Sequence, residues 1–458
     1  MRPQSLELDR LLLLLAQGPT TATSLQARLG ISQPTVSRRL KALGSRVEAL
    51  GRGRSRRYAL RRSVRQGGDT WPVHAIAPDG QPLRWGELVA LHGGFRLRLD
   101  RHDSWLNRPY PEGFHAGLPF IIQDASPQGF IGRAIARDVA PVLHVAEDPR
   151  DWHDDDRLTY LLHRGHDLPG NLVIGERMLA QALRDGIDAA EHAVPAAERA
   201  ERYPQFAEAA MRGERVGSSA GGEQPKFLGA VRDTDGALRR VLVKFSAADP
   251  SPVRQRWMDL LRCEHVAAQV IARHGLPSVQ TVLLSGGNRR FLEVTRFDRP
   301  TASGRQGILS LGALVDGLIE SSCADWIEAA IALERERWIA PETSRRLRWL
   351  WCFGDLIGNT DMHFGNASVL LTDAPPFPLA PAYDMLPMGF APDRQGELRG
   401  HRFAPRPPLP AVADVWPGAA QAAQEFWHLV ESESEISDDF RRIAASCRGE
   451  IKRWQSRA

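Results

Sequence analysis

The chain is poor in cysteine, and the few cysteines it has are far apart in sequence. No two of them form a C-x-x-C pair, so the sequence shows neither the spacing of a structural zinc site nor a disulfide framework. Free thiols persist in reducing compartments, and we therefore expect a cytoplasmic protein. The cysteines are Cys263, Cys323, Cys352 and Cys447.

Long apolar runs are absent too. The one candidate, Leu11 to Ala16, is far shorter than the roughly 20 residues that cross a bilayer, and it follows Glu7, Asp9 and Arg10. A secretory signal peptide has a basic segment before its apolar core, without such acids. The run is therefore predicted to be a buried helix, and no membrane association is expected.

What is present is typical of a globular protein. The 458 residues are 43% hydrophobic and 25% charged, which leaves room for two or three domains. The net charge of +4 is unevenly spread, because residues 1–66 hold fourteen Arg or Lys against three acids. Since the remaining chain is net acidic, a nucleic-acid partner is expected for the first segment alone.

Residues 1–66 have the element order of a winged helix-turn-helix DNA-binding domain. An apolar helix is predicted over 5–17, then a short helix, a turn at Gly30, and a second helix over 33–43 that Ser32 caps. That second helix has the amphipathic division that a recognition helix needs. The side chains expected to face DNA are Gln33, Thr35, Ser37, Arg38 and Lys41.

A basic hairpin completes this domain. Strands predicted at 47–50 and 58–60 flank the loop 51–57, whose Arg54 and Arg56 are expected to contact phosphate or the minor groove. A solvated hairpin on a protein-contact module fits the same residues. The order of the motifs and the charge asymmetry together favour DNA binding.

Residues 67–150 alternate like short strands broken by Gly and Pro, and no pattern there indicates chemistry. We interpret this segment as a packing or partner-docking subdomain. The acidic stretch 148–156 is interpreted as a loop that caps the following helix, in preference to a metal site.

Residues 151–305 combine a glycine-rich loop with a lysine in a strand. The loop, 216–227, matches no standard phosphate-binding motif, and a plain hairpin turn fits it equally well. Lys244 lies in the predicted strand 240–245, where burial is costly without a partner. Glu264 on the next helix is placed to pair with it, as in a kinase lobe that holds ATP phosphates; a surface salt bridge fits Glu264 as well.

The last segment, 306–458, is mostly helical and carries two acids and an amide at the spacing of a phosphoryl-transfer site. Asp361 and Asn366 keep the D-x-x-x-x-N register of the protein-kinase catalytic loop, and Asp384 follows a short strand, as a metal-binding acid would. His363 is expected to make a structural hydrogen bond in this loop.

Taken together, the segments resemble the HipA family of serine/threonine kinases, the toxins of bacterial toxin-antitoxin systems. The resemblance implies an α+β fold in which a two-lobed, protein-kinase-like body with a mixed β N-lobe and a helical C-lobe follows the winged domain. It also implies ATP and Mg²⁺ as cofactors and a protein substrate. The matching stretches are 218–226, 243–245, 295–299, 359–366 and 383–384.

The resemblance also implies residue roles. Asp361 would be the catalytic base, Lys244 would contact the phosphates, and Asn366 and Asp384 would bind metal. Ser218 would be the inhibitory autophosphorylation site, with Ser219 next to it as the second choice. The further residues implied at the nucleotide are Glu264, Thr295, Phe297, Ser219 and Gly221. Of these, Thr295 and Phe297 would form the hinge and offer backbone groups to adenine.

Two features depart from the family pattern. Met362 and Gly365 stand where the family's loop often has basic residues. The usual toxin works with a separate DNA-binding antitoxin, whereas this chain carries its own winged domain, as in the YjjJ-like branch. The resemblance to the family implies an antitoxin partner. The winged domain adds the expectation of a homodimer, which such domains often form on DNA.

The sequence leaves three functions open. The favoured one is an ATP- and Mg²⁺-dependent serine/threonine protein kinase that restrains growth and binds DNA for autoregulation. The second is a DNA-binding regulator whose kinase-like body is a sensor or scaffold, and the third is a small-molecule kinase. The intact set of Lys244, Asp361, Asn366 and Asp384 favours the first over the second.

Overall fold

The computed structural model describes residues 3–100, 104–125, 129–212, 224–393, 395–398 and 402–455. It combines mixed helices and sheets in an α+β architecture with an N-terminal winged domain, a middle unit and a two-lobed body, as expected. Among the described helices, none is both long enough and apolar enough to span a membrane.

The winged domain contains three helices and a three-stranded sheet in the order β1-β3-β2. Leu11 and Leu15 belong to the short apolar run 11–16. They are fully buried in the core of this domain with Leu25, as predicted. The elements are α1 (Pro3–Leu15), β1 (Thr20–Thr21), α2 (Ala22–Leu29), α3 (Gln33–Ala42), β2 (Val47–Leu50) and β3 (Arg57–Leu60).

The middle unit is built on a five-stranded sheet in the order β7-β6-β5-β4-β8. Because β8 pairs with β4, this sheet continues past residue 150, and the predicted domain boundary there is too early. The elements are β4 (Thr70–Ile76), β5 (Pro82–Leu91), β6 (Gly94–Leu99), β7 (Phe114–His115), α4 (Gly129–Leu143), α5 (Asp154–Arg164), β8 (Leu172–Ile174) and α6 (Glu176–Glu191).

The N-lobe is a second five-stranded sheet, in the order β12-β13-β11-β10-β9, against which α7 and α8 pack. The long amphipathic α8 begins where Ser251 accepts a hydrogen bond from the amide of Arg254. The elements are β9 (Val194–Pro195), α7 (Arg199–Met211), β10 (Lys226–Arg232), β11 (Leu238–Phe245), α8 (Pro252–Arg273), β12 (Thr281–Gly286) and β13 (Arg289–Thr295).

The described part of the C-lobe is built mainly from helices and contains a short antiparallel pair, β14 with β15. Trp427 and Phe426 are fully buried between its helices, and Trp105 of the middle unit packs edge-on against Phe377. The elements are β14 (Ile308–Ser310), α9 (Leu311–Leu318), α10 (Trp326–Arg335), α11 (Pro341–Leu356), β15 (Ser368–Leu370), α12 (Trp416–Ser432) and α13 (Asp438–Gln455).

The winged domain is fastened to the middle unit by ion pairs. Arg62 donates to both carboxylate oxygens of Asp155, at 2.6 and 2.7 Å, and Arg65 pairs with Asp156. The acidic stretch caps α5 as predicted, because Asp156 accepts a hydrogen bond from the amide of His153 at the start of that helix. It also forms the ion pairs that hold the winged domain. Part of the basic charge of residues 1–66 is thus used inside the protein.

Candidate functional site

A cavity that is partly open to solvent, with about 1130 Å³ of empty space when the open part is included, lies where β10, β11 and β13 of the N-lobe face the C-lobe segments around residues 363–368 and 383–384. One wall is apolar, and the other carries lysine, carboxylate and amide groups. A flat apolar slot beside a charged wall suits a nucleotide, whose base is apolar and whose phosphates are anionic. The apolar wall contains Leu228, Leu242, Val279 and Val294.

Lys244 is the centre of the charged wall. Its Nζ lies 2.6 Å from the carboxylate of Glu264 and also contacts that of Asp384. Lys244 and Glu264 are each only 4% exposed, so this is a buried pair, and the alternative of a surface salt bridge is wrong. Strand β11, helix α8 and the C-lobe therefore meet at one ammonium group.

The pKa values in this cluster follow from burial and charge. Burial would lower the pKa of Lys244, but the two carboxylates raise it above its usual value. Burial raises the pKa of Glu264, with Lys244 opposing. Although burial would also raise the pKa of Asp384, Lys244 and Lys226 lower it, so this acid is held ionised.

The predicted hinge lies on the cavity, but its two residues differ. The amide of Thr295 donates to the carbonyl of Gln280 at 2.9 Å, so it is not available to a base. Among the described residues, no hydrogen bond is formed by the backbone of Phe297. Phe297 therefore retains the backbone groups that the prediction assigned to both residues. Arg296 between them bonds Asp167 at 3.1 Å and Asp298 at 2.9 Å, which fixes the hinge.

Residues 359–366, here named the Asp361 loop, are held in shape by two amide side chains. Asn359 Oδ1 accepts from the amide of Asp361 at 3.0 Å, and its Nδ2 donates to the carbonyl of Asp384 at 3.3 Å. Asn366 Nδ2 donates to the carbonyl of Asp361 at 2.7 Å. Asn366 thus uses its nitrogen within the loop and keeps its oxygen for the cleft, whose wall it lines. Asp361 itself is exposed beside that wall.

His363 behaves as predicted. Its Nδ1 accepts a hydrogen bond from the amide of Gly365 at 3.0 Å, which closes the turn. A Cβ on Gly365 would lie 2.9 Å from the His363 ring, so this turn favours glycine over a basic residue. Met362 points the other way, against Gly354. Neither of the two positions that depart from the family pattern therefore directs a side chain at the cavity.

Asp384 has a left-handed backbone with φ of 54°, a conformation that residues other than glycine rarely adopt. Such strain persists where surrounding contacts impose it, and it concentrates at functional sites. Here the contacts are those of Lys244 with the side chain and of Asn359 with the carbonyl.

Lys226 is a site residue that the sequence analysis left unassigned. It is 2% exposed, lines the cavity and is the cross-strand partner of Lys244. Burial lowers its pKa to about 8, while Asp384 opposes the shift. One signal in the sequence pointed to it, because the chain has only four lysines, namely Lys41, Lys226, Lys244 and Lys452.

The residues predicted for DNA, apart from Arg54, can be compared with their exposure in the structure. Gln33, Ser37, Arg38, Lys41 and Arg56 are exposed, and Thr35 is half-buried. Val36 and Leu40 are buried on the opposite face of α3, as the amphipathic pattern requires.

Several predicted positions lie outside the described residues. Ser218, Ser219 and Gly221 belong to the segment 213–223, and the side chain of Arg54 is likewise not described. These four assignments stay predictions.

Three family models match consecutive parts of the chain. Residues 10–45 match the model of the bacterial regulatory proteins of the arsR family. Residues 67–183 match the model of the YjjJ-like toxin middle domain. Residues 218–453 match the model of the HipA-like C-terminal domain.

Three individual proteins are similar to this chain to different degrees. The toxin YjjJ of Escherichia coli strain K12 is 36% identical over 454 residues, which cover 97% of each chain. A Shewanella oneidensis MR-1 HipA, solved with HipB and its operator DNA, has a TM-score of 0.51 at 14% identity and covers 83% of this chain and 95% of that one. The Helicobacter pylori kinase CtkA gives a TM-score of 0.36 at 16% identity, covering 51% of this chain and 89% of that one.

Proposed function

The chain belongs to the HipA-like toxin family, with the middle domain of its YjjJ-like members, and on that premise we propose that it is an ATP- and Mg²⁺-dependent serine/threonine protein kinase. The observation that carries the proposal is the contact of the buried Lys244 with both Glu264, which is also buried, and Asp384, which is partly exposed. A buried lysine held between two carboxylates is costly to maintain for stability alone. Kinases need this lysine–glutamate pair to hold ATP phosphates.

The donor set fits a magnesium ion that arrives with its nucleotide. Among the described residues, no group of three or more His, Cys, Asp or Glu side chains could hold a metal by itself. Asn366 and Asp384 supply one amide oxygen and one carboxylate, and Mg²⁺ is typically bound by one or two such groups together with substrate phosphates. When bound, the ion would neutralise charge that develops on the transferred phosphoryl group.

The protein's own groups would then divide the work. Lys244 and Lys226 offer two ammonium groups on one wall for the phosphates, and Phe297 offers backbone groups to the base. To Asp361, an exposed residue of the loop whose Asn366 lines the cavity, we assign the acceptance of the proton of an incoming serine or threonine hydroxyl. Positioning and electrostatic stabilisation of this kind account for most of the rate enhancement in phosphoryl transfer.

Incubation of purified protein with labelled ATP, Mg²⁺ and lysate proteins tests the proposal. Wild type should transfer phosphate, Asp361→Ala should not, and Asp188→Ala, which alters an exposed acid on α6, should match wild type. Equal silence of wild type and Asp361→Ala would instead support the sensor or scaffold reading, provided that ATP still binds. Phosphoproteomics after induced expression of wild type against Asp384→Ala would identify the protein substrate, and a screen of metabolites would detect a small-molecule kinase.

Autophosphorylation at Ser218 is part of the same proposal. After incubation with ATP, mass spectrometry should find phosphate on the peptide 212–226, and Ser218→Ala should remove most of it. Ser219→Ala is the matched control and should retain it. Phosphate found only outside this peptide would overturn the assignment.

For the winged domain we propose DNA binding. The exposed basic face of α3 and the match to the arsR family support this proposal. The HipA relative was solved with HipB and operator DNA, and by analogy we propose a protein antitoxin and a cytoplasmic site of action for this chain. Gel shifts with its upstream DNA at graded salt test the first point. Lys41→Ala should reduce the salt slope by about 1, whereas Lys452→Ala, on α13, should leave it unchanged. Binding that is insensitive to salt would contradict the proposal.

A further inference from the structure

Tyr383 joins the hinge to the Asp361 loop through one side chain. Its ring stacks on Phe297, with 5.9 Å between the ring centroids and 29° between the planes. Its hydroxyl donates to the carbonyl of Gly365 at 2.8 Å and lies 2.7 Å from Ser368 Oγ. Since a phenol has one proton, Ser368 is the donor in the second bond. The loop is thus held at its C-terminal end by the residue that precedes Asp384.

The strand that follows the loop is fixed in turn by β14. Ser368 and Ser310 are cross-strand partners in the short β14–β15 pair. The amide of Leu311 donates to the carbonyl of Ala367 at 2.8 Å, directly after the loop. The position of Ser310 therefore sets the position of the segment to which Tyr383 is bonded.

Asp124 of the middle unit holds Ser310. One carboxylate oxygen accepts from the Ser310 amide at 2.7 Å, and the other accepts from the Ser310 hydroxyl at 2.6 Å. The same hydroxyl accepts from the amide of Ala313 and caps α9. Asp124 also lines the cavity, so a residue of the middle unit reaches the wall of the nucleotide cleft.

We propose that Tyr383 and Asp124 are positioning residues that together hold the Asp361 loop in register with the cleft, and that the middle unit supports the site through Asp124. Neither residue reacts. Each orders the backbone on which Asp361 and Asn366 are carried, Tyr383 directly and Asp124 through the β14–β15 pair. Ordering of this kind acts on the geometry of transfer more than on the affinity for nucleotide.

The chain contains closely matched controls for both residues. Tyr110 also donates its hydroxyl to a C-lobe carbonyl, that of Gly317 at 2.8 Å, but away from the cleft. Asp259 also accepts from the amide and the hydroxyl of one serine, Ser437, at 3.0 and 2.6 Å. The variants Tyr383→Phe and Asp124→Asn can therefore be compared with Tyr110→Phe and Asp259→Asn, which remove the same kinds of bond elsewhere.

The first measurement is structural and does not depend on catalysis. In nucleotide-free full-length protein, hydrogen exchange of peptides covering 361–369 should be at least tenfold faster in Tyr383→Phe and Asp124→Asn than in wild type. The two control variants should exchange at the wild-type rate in this segment. Unchanged exchange in the test variants, or equal acceleration in the controls, would overturn the positioning proposal.

The second measurement is kinetic and rests on the proposed function. The two test variants should lower kcat about tenfold or more while KM for ATP changes less than twofold, and the controls should keep both values. A parallel rise of KM would show that nucleotide binding is affected and would contradict the proposal. If wild type transfers no phosphate, the proposed kinase function fails, whereas the exchange result still decides whether the two residues order the loop.

Discussion

Replacement of Lys244 by methionine should destabilise the protein in a strongly pH-dependent way. The change keeps the length of the side chain but leaves Glu264, 4% exposed, beside Asp384 without the shared ammonium group. Removing one partner of a buried ion pair typically costs about 3–5 kcal/mol. The protein can limit this cost by protonating Glu264, whose pKa burial already raises.

The size of the effect follows from the cost of that proton. Relative to the ordinary value of 4.5 for Glu264, keeping the carboxyl neutral costs about 1.4 kcal/mol for each pH unit above it. This limits the loss to about 4 kcal/mol at pH 7.5 and to about 1.4 kcal/mol at pH 5.5. The pH dependence has the sign expected for a carboxyl group whose pKa is raised in the folded state. The stability that the protonated Glu264 contributes is present at low pH and is lost as the pH rises.

Urea denaturation monitored by tryptophan fluorescence at the two pH values measures this difference. Lys452→Met, which alters an exposed lysine on α13, should match wild type at both. The double variant Lys244→Met/Glu264→Gln should recover most of the loss and its pH dependence, since the titrating carboxyl is gone. A deficit for Lys244→Met that is equal at both pH values, or larger at pH 5.5, would refute the reasoning.

Three further changes test other parts of the molecule. Phe297→Ala removes the stack on Tyr383 and should weaken binding of a fluorescent ATP analogue at least tenfold, whereas Phe206→Ala, in the separate core under α7, should not. Because the pKa of Lys226 is lowered to about 8, ATP affinity should fall as the pH rises from 7 to 9, and Lys226→Arg should flatten this profile in an equilibrium titration. Arg62→Ala breaks the bidentate pair with Asp155. It should make the junction after the winged domain more sensitive to limited proteolysis at low salt. An unchanged rate of cleavage would count against a tight junction.

The chemistry of the cleft could be predicted from the sequence through two signals. Lys244 is a polar exception in an apolar strand, and such exceptions are expected at functional sites. Asp361 and Asn366 keep the spacing of a kinase catalytic loop. The confirmed contact of Lys244 with Glu264 joins residues on adjacent elements, β11 and α8, so chain order alone brought the pair together. Lys226 is also a lysine in a strand, and it was missed because it lies within 216–227, the stretch interpreted as the glycine-rich loop, whereas β10 begins at this residue.

Contacts between distant segments had no such signal. Asp124 and Ser310 are polar residues in segments that read as loop and strand end, and only the fold places one on the other across 186 positions. Thr295 was predicted to offer backbone groups to a base, and its amide is occupied because β12 brings Gln280 alongside the end of β13. The domain boundary at 150 was wrong for the same reason, since β8 returns to pair with β4 after two intervening helices.

The charge of the winged domain shows how composition can mislead about a surface. All fourteen basic residues of 1–66 counted equally in the sequence, yet Arg57, Arg62 and Arg65 pair with Glu112, Asp155 and Asp156 of the middle unit. Arg38 and Lys41, by contrast, stay exposed on α3. The basic residues therefore have two tasks, and the pairs that fasten the domain also fix the direction in which α3 faces. A DNA-bound winged domain would then be held in a defined orientation to the middle unit, which is also the unit that reaches the cleft through Asp124.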